Sequence, residues 1–574
     1  MKKTLLLSTV VLPLIFSSCK DNNTLEHIQS EMLAGYGINK VMTGSYDKSL
    51  SVKCHNGIFV GKKEGDVISF KGIPYAKPPV KSRRWKVAES ADESNKVREA
   101  YYFGKSAIQT KTGTERASLY LQSEDCLTLN VWVNKKDTRT NKTVMVFFHG
   151  GSYGWGGTAD PLYDGSNFVR RHPDIILVTA NYRTGIMGFI DLSSLKGSEE
   201  YKESPNLGLL DQIEALRYVQ RNIGAFGGDK NNVTIFGESA GAGSVSLLPI
   251  VSKAKGLFRR VIAESGSIAL TYSKSECRPL TEKLIKLTGV KSVRELVALD
   301  ERIIKELNEK LNDINCFPQR DGITVPLDVY AAYDSGMTAG IDIMNGTNAD
   351  EARYWIGEMG GLMNYKLTFP IMFENNIARI SKNDRVHLKE FMQLQKDKEK
   401  IWKITEFYNE IMFRIPAIYQ TEAHAKNGGR AYMYYWTYPS AIPNYGACHA
   451  VELAYVFGNL DQTIYTGNNI NKNLALTVQD MWAAFARTGN PSTNGIEWNA
   501  YDMENRTTMI LGEDIHTENA PLENQRRQLA SLLKYNFNGC YTNLSLFVPS
   551  VFKLAAFAII VIALIIFAII FLRG

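Results

Sequence analysis

No block of like charge, no internal repeat and no Gly/Ser- or Pro-rich linker breaks up this sequence. Its 66 basic residues stand against 59 acidic ones, a net charge of +7 that is small for 574 residues. That balance gives no reason to expect a nucleic-acid partner. With 44 % hydrophobic and 22 % charged residues, the chain is neither disordered nor of low complexity. Its 45 glycines and 18 prolines exclude a collagen-like repeat. Cysteine is scarce: the seven are Cys19, Cys54, Cys126, Cys277, Cys316, Cys448 and Cys540. Their spacing does not define a pairing.

Long apolar runs are confined to the two ends. Lys2 and Lys3 precede an apolar stretch, Thr4 to Phe16, that is too short to span a bilayer, and small residues follow at Ser17, Ser18 and Cys19. This is the pattern of an export signal over residues 1–18, which makes disulfides permissible. FSSC also resembles a bacterial lipoprotein cleavage box with Cys19 as the lipidated residue, although Phe16 stands where leucine is usual. At the other end, Leu554 to Leu572 is an unbroken run of 19 apolar residues between Lys553 and Arg573. At 1.5 Å per residue it would reach about 28 Å, close to the thickness of a hydrocarbon core. A transmembrane helix over 553–572, after a stalk at 536–552, is the expectation. A cleaved lipid-anchor signal is the rival, because Asn538-Gly539-Cys540 offers small residues before a spacer. The expected location is the outer face of a membrane. Six N-x-S/T triplets begin at Asn22, Asn141, Asn232, Asn345, Asn505 and Asn543, and they matter only in a eukaryotic secretory pathway.

Between an N-terminal extension at 19–50 and the stalk, residues 51–535 read as one globular domain. Leu127–Val133, Val144–Phe148, Ile175–Thr179, Val233–Phe236 and Ile341–Met344 are short apolar runs bounded by turn residues, as buried strands are. Asp211–Asn222 and Thr477–Arg487 carry helical periodicity, and Gly489, Asn490 and Pro491 stop the second. The alternation predicts an α/β fold with a mostly parallel sheet covered by helices.

The segment VTIFGESAGAGSVS places Gly237-Glu238-Ser239-Ala240-Gly241 between a strand and a helix. This is G-x-S-x-G in the context that makes Ser239 a candidate nucleophile on a tight, strained turn. Side chains at 237 and 241 would collide with neighbouring backbone, and the following helix points its N-terminal N–H groups at the same place. Developing negative charge needs further donors. His149-Gly150-Gly151-Ser152 follows the strand VMVFF, so backbone N–H groups of Gly151, Ser152 and Ala240 are the candidates, with Gly150 giving the loop its freedom.

These segments resemble the type-B carboxylesterase/lipase family of cholinesterase-like α/β-hydrolases. The likeness extends through GIPYAKPPV (72–80), SEDCLTLNVW (123–132), FFHGGSYGWGG (147–157), NYRTGIMGF (181–189), the stretch from Asn206 to Asp229, GTNADE (346–351), ACHAVELAYVFG (447–458) and FARTGNPS (485–492). The resemblance implies an α/β-hydrolase fold and hydrolysis of a small-molecule carboxylic ester through an acyl-enzyme, with no metal or organic cofactor. A base and a carboxylate must serve the serine, in chain order serine, acid, histidine. Four histidines lie beyond residue 351: His387, His424, His449 and His516. His449 sits in the family's histidine loop, and the other three read as surface residues. The residues alone leave Asp350 and Glu351 equal as the acid; the family pattern implies Glu351, with Asp350 structural.

The sequence also departs from the family. Ala107 stands where a cysteine usually pairs with the one at Cys126, so that bridge cannot form. Cys277 has no obvious near partner. The loop Ile108–Asp125 lacks the tryptophan that binds quaternary ammonium in cholinesterases, and Tyr120 is its one aromatic residue. Ser152 and Ala450 stand where glycine is common. The alternatives carried forward are a cholinesterase-like hydrolase and a neuroligin-like adhesion ectodomain on the same fold.

Overall fold

Apolar, β-branched runs can lie in a sheet buried on both faces only if helices cover both sides. The computed structural model shows this arrangement and describes residues 22–110, 116–312, 314–468, 470–493 and 495–537. Among them an eleven-stranded sheet comprises β1 (Lys62–Glu64), β2 (Val67–Pro74), β3 (Thr128–Asn134), β4 (Lys142–Phe148), β5 (Ile175–Ala180), β6 (Gly228–Glu238), β7 (Arg260–Glu264), β8 (Asp342–Asn348), β9 (Ala431–Trp436), β10 (Thr507–Leu511) and β11 (Ile515–Asn519). The spatial order is β11-β10-β9-β8-β7-β6-β4-β5-β3-β2-β1. Strands β5 through β10 run parallel to their neighbours, and the margins turn antiparallel at β3 and β11. All seven residues of β4 are buried. A separate three-stranded sheet joins Ser51–Cys54, Gly57–Val60 and Val97–Glu99.

The five expected strands and both expected helices are present; the strands expected from Leu127 and Ile341 begin one residue later, and the other elements extend further than expected. The helices run Leu207–Asn222 and Lys472–Thr488. Asn471 caps the second by accepting from the Leu474 N–H, and Gly489, at φ +75°, ends it. Two of the recurring sequence segments have a packing explanation. Glu124 of SEDCL forms a buried, two-pronged ion pair with Arg84, and Arg183 of NYRTG does the same with Asp211 at 2.7 and 2.8 Å.

Helix Asn22–Gly35 of the N-terminal extension buries Ile28 and Met32 in the core of the globular body. Phe537 is buried in the same core, two residues past the expected edge. The export signal, Cys19, Cys540 and the apolar run at 554–572 lie outside the described residues. Among the described residues, no helix is long and apolar enough to cross a membrane. Cys54, Cys126, Cys277, Cys316 and Cys448 are all buried free thiols. Asn345, one of the glycosylation triplets, is buried in β8 and donates to Thr421, which closes it to a glycan in the folded protein.

Candidate active site

Ligands of open α/β sheets bind beyond the carboxyl ends of parallel strands, and the candidate residues converge there. β6 ends at Glu238 and Ser239 follows at φ +56°, a left-handed conformation costly for a side chain with a Cβ. The glycines around it are sterically required. A Cβ at Gly237 would lie 2.6 Å from the Gly241 carbonyl carbon, and one at Gly241 would run into the Phe148 carbonyl. The helix Ala240–Leu247 begins directly after the serine, so the Ala240 N–H has no helical acceptor.

The loop after β4 faces this elbow. A Cβ at Gly150 would lie 2.7 Å from Glu238 Oε2 and 3.0 Å from Ser239 Cβ, so only glycine permits so close an approach. Gly151 (φ +103°), Ser152 (φ +51°) and Tyr153 (φ +58°) curl the backbone, and the Gly151 carbonyl accepts from the Gly154 and Trp155 N–H groups. Among the described residues, the N–H groups of Gly151 and Ser152 have no protein acceptor. Among the described residues, three amides, at 151, 152 and 240, are thus without a protein acceptor. His149, just before this loop, is buried. Burial pushes it down to about 4, its Nδ1 lies 2.8 Å from the Gly150 carbonyl, and its ring stacks on Tyr182 at 4.4 Å.

The acid and base loops meet on the other side. Glu351, just past β8, is fully buried. Its Oε2 lies 2.6 Å from His449 Nδ1, and its Oε1 accepts from the Asn348 N–H at 2.7 Å. Asp350 is hydrogen-bonded to the histidine loop: its Oδ2 accepts from the Ala447 N–H, and its own N–H donates to the Ala447 carbonyl. Asp350 therefore ties the acid loop to the histidine loop. Ala450, at φ +68°, shows why glycine is common after the histidine.

His449 Nε2, the atom that would serve the serine, lies 3.0 Å from Glu238 Oε1. Among the described residues, the Ser239 hydroxyl makes no hydrogen bond to it. The structure therefore brings imidazole and carboxylate together, while at Nε2 the nearby side-chain oxygen is Glu238 Oε1, at ion-pair distance and without a hydrogen bond between the two. Burial alone would push His449 down, but the carboxylates of Glu238, Glu351 and Glu452 outweigh it and raise the imidazole to about 9. Behind the ring, Asn348 donates to Glu452 at 2.6 Å and to the Cys448 carbonyl at 2.9 Å. Burial, then Glu351, pushes Glu452 up; burial, then Glu452, pushes Glu264 up, opposed by the Trp482 N–H at 2.5 Å. Phe413 and Tyr354 flank the imidazole with ring centroids at 5.0 and 5.6 Å, and Trp355 packs behind both.

The family model described as "Carboxylesterase family" matches residues 48–529, nearly the whole described body.

The chain belongs to the carboxylesterase family.

It is 34 % identical over 500 residues to a para-nitrobenzyl esterase of Bacillus subtilis, covering 82 % of this chain and 96 % of that protein. It is 29 % identical to carboxylesterase 1E of Mus musculus over 76 % of this chain and 84 % of the relative. Among solved structures, a PNB esterase superposes with a TM-score of 0.74 at 33 % identity, and the carboxylesterase EST55 of Geobacillus stearothermophilus with 0.74 at 30 %. Each covers 83 % of this chain and 99 % of its own. As a member of this family the chain is a carboxylic ester hydrolase.

One histidine placement needs correction. His424 is fully buried, with Nδ1 2.8 Å from Thr338 Oγ1, because its helix (Ile415–Lys426) packs that face inward. His516 is exposed, on strand β11. Glu452 was missed although it stands three residues after His449, a spacing that returns a side chain to the same face of a helical turn. Asn348 and Glu264 carry no local signal of their role. Tyr120 is buried and donates to Asp160, so it offers no exposed aromatic face in place of the missing tryptophan.

Proposed function

We propose that Ser239 is the nucleophile of this carboxylesterase, with His449 as general base and Glu351 as the orienting acid. The observation that carries the reading is the elbow: a left-handed Ser239 wedged between obligate glycines, facing a loop whose amides are uncommitted. Ser239 Oγ attacks the ester carbonyl as His449 Nε2 takes its proton, and a bond forms from Oγ to the carbonyl carbon. The oxyanion is held by the N–H groups of Gly151, Ser152 and Ala240. The C–O bond to the alcohol then breaks as His449 returns the proton to it. Water, deprotonated by the same histidine, releases the acyl group.

Glu238 Oε1 lies 3.0 Å from Nε2, and for this to occur the Ser239 hydroxyl has to meet Nε2 in its place. The aromatic wall of Tyr354, Trp355 and Phe413 suits an apolar acyl or alcohol group. The export and membrane-anchor part of the reading is supported by the sequence at the two ends. Ser239→Ala is expected to cut hydrolysis of a p-nitrophenyl ester by at least about 10³-fold with thermal stability retained. Activity near that of the parent would remove the assignment.

A further inference from the structure

Between helix Lys400–Tyr408 and helix Ile415–Lys426, the chain widens into a π-helical turn, Asn409–Arg414. Such turns shift the helical register by one residue and recur at functional sites. Here the shift turns two side chains toward the candidate active site. Phe413 lies against the His449 ring. Asn409, 2 % exposed, reaches the acid loop, where its Oδ1 accepts from the Ala352 N–H at 2.8 Å and its Nδ2 donates to the Ala349 carbonyl at 2.9 Å. Those two backbone groups lie immediately on either side of Asp350-Glu351, so one amide grips both ends of the segment carrying the acid.

The turn is itself braced from behind. Arg414 and Glu410 form a buried pair at 2.6 to 2.9 Å, and Arg414 donates onward to the Pro521 and Leu522 carbonyls. An anchored helix is therefore coupled through one side chain to the backbone that aims Glu351.

We propose that Asn409 is a positioning residue for Glu351, setting the angle at which the carboxylate meets His449 Nδ1. This rests on the reading of Glu351 as the acid. An amide is the side chain suited to the task, because it offers one acceptor and one donor from a single planar group. Without it the Ala349–Ala352 loop loses two hydrogen bonds and gains freedom, and a small misplacement of an acid–base pair is costly in rate.

The test is a double-mutant cycle in the full chain. Asn409→Ala is expected to lower kcat by about 10- to 100-fold with KM little changed. It is also expected to move the acid limb of the pH–rate profile to lower pH, as His449 loses part of the Glu351 charge. In the Glu351→Ala background the same substitution is expected to change kcat by less than about 2-fold. Asn409→Asp, which keeps the volume and the acceptor toward Ala352, serves if the alanine variant does not fold, with the same dependence on Glu351. An unchanged kcat in a folded Asn409 variant, an effect confined to KM, or an equal loss with and without Glu351 would each overturn the proposal. If Glu351→Ala alone leaves kcat unchanged, the acid assignment fails instead, and the two failures are distinct.

Discussion

The two halves of the site are built by different means. On the serine side, shape comes from what is missing: glycines at 150, 237 and 241 leave room, left-handed backbone at 151, 152 and 239 aims the groups, and amides are left without acceptors. On the histidine side, shape comes from what is joined: Asp350 to Ala447, Asn348 to Glu351 and Glu452, Glu351 to His449. The first half is held by excluded volume and tolerates no added atom. The second is held by a network of buried hydrogen bonds in which each member is fixed by a partner on another loop.

The sharpest way to break this comparison is to add one methyl on the steric side. Gly150→Ala places its Cβ against the Glu238 carbonyl oxygen at 2.9 Å and Ser239 Cβ at 3.0 Å. Displacing the loop costs oxyanion stabilisation, and kcat is expected to fall by about 10²- to 10³-fold. Steady-state kinetics on a p-nitrophenyl ester would show it.

A smaller effect is expected from cutting the tie on the network side. Asp350→Ala leaves the Ala447 N–H without its acceptor and is expected to cost about 1–3 kcal/mol of stability, read by denaturant unfolding. Its kcat should fall by less than that of Gly150→Ala, because Glu351 keeps its bond from the Asn348 N–H. If Asp350→Ala proved the more damaging to kcat, the comparison would be reversed.

The smallest effect sharpens the comparison where the halves touch. His449 must be neutral to take a proton, and its imidazole is raised to about 9 by Glu238, Glu351 and Glu452 against the effect of burial. Activity is therefore expected to climb with pH through the alkaline range. Glu238→Gln removes a negative charge 3.0 Å from Nε2, which lowers the imidazole pKa and moves the acid limb down by about one pH unit or more. A pH–kcat/KM profile that does not move would show that Glu238 leaves the ring in solution.

The same division explains how much of the molecule was legible in its sequence. The steric half is written locally: strand, G-x-S-x-G, helix, and a glycine pair after VMVFF all fall within short stretches, so the elbow and the loop could be placed before any coordinates. The parallel strands were legible for the same reason, since apolar runs such as Val144–Phe148 announce burial on both faces. The network half was only partly so. His449 was found through a resemblance rather than through spacing, and the residues left Asp350 and Glu351 undivided. Asn348 and Asn409 reach partners 57 to 104 residues away, and no local pattern records such a bond. His424 was misplaced because a polar helix still buries one face. The position of Glu238 over Nε2 was not anticipated, since adjacency to Ser239 in the chain says nothing about which way its carboxylate turns.

The most direct test of the account is covalent. The full chain is treated with a fluorophosphonate and the modified peptide is located by mass spectrometry. The account predicts one adduct, on the hydroxyl of Ser239, formed in step with loss of esterase activity and absent from Ser239→Ala. Complete inactivation with the label on any other residue, or an active Ser239→Ala enzyme that still takes up the label, would contradict it.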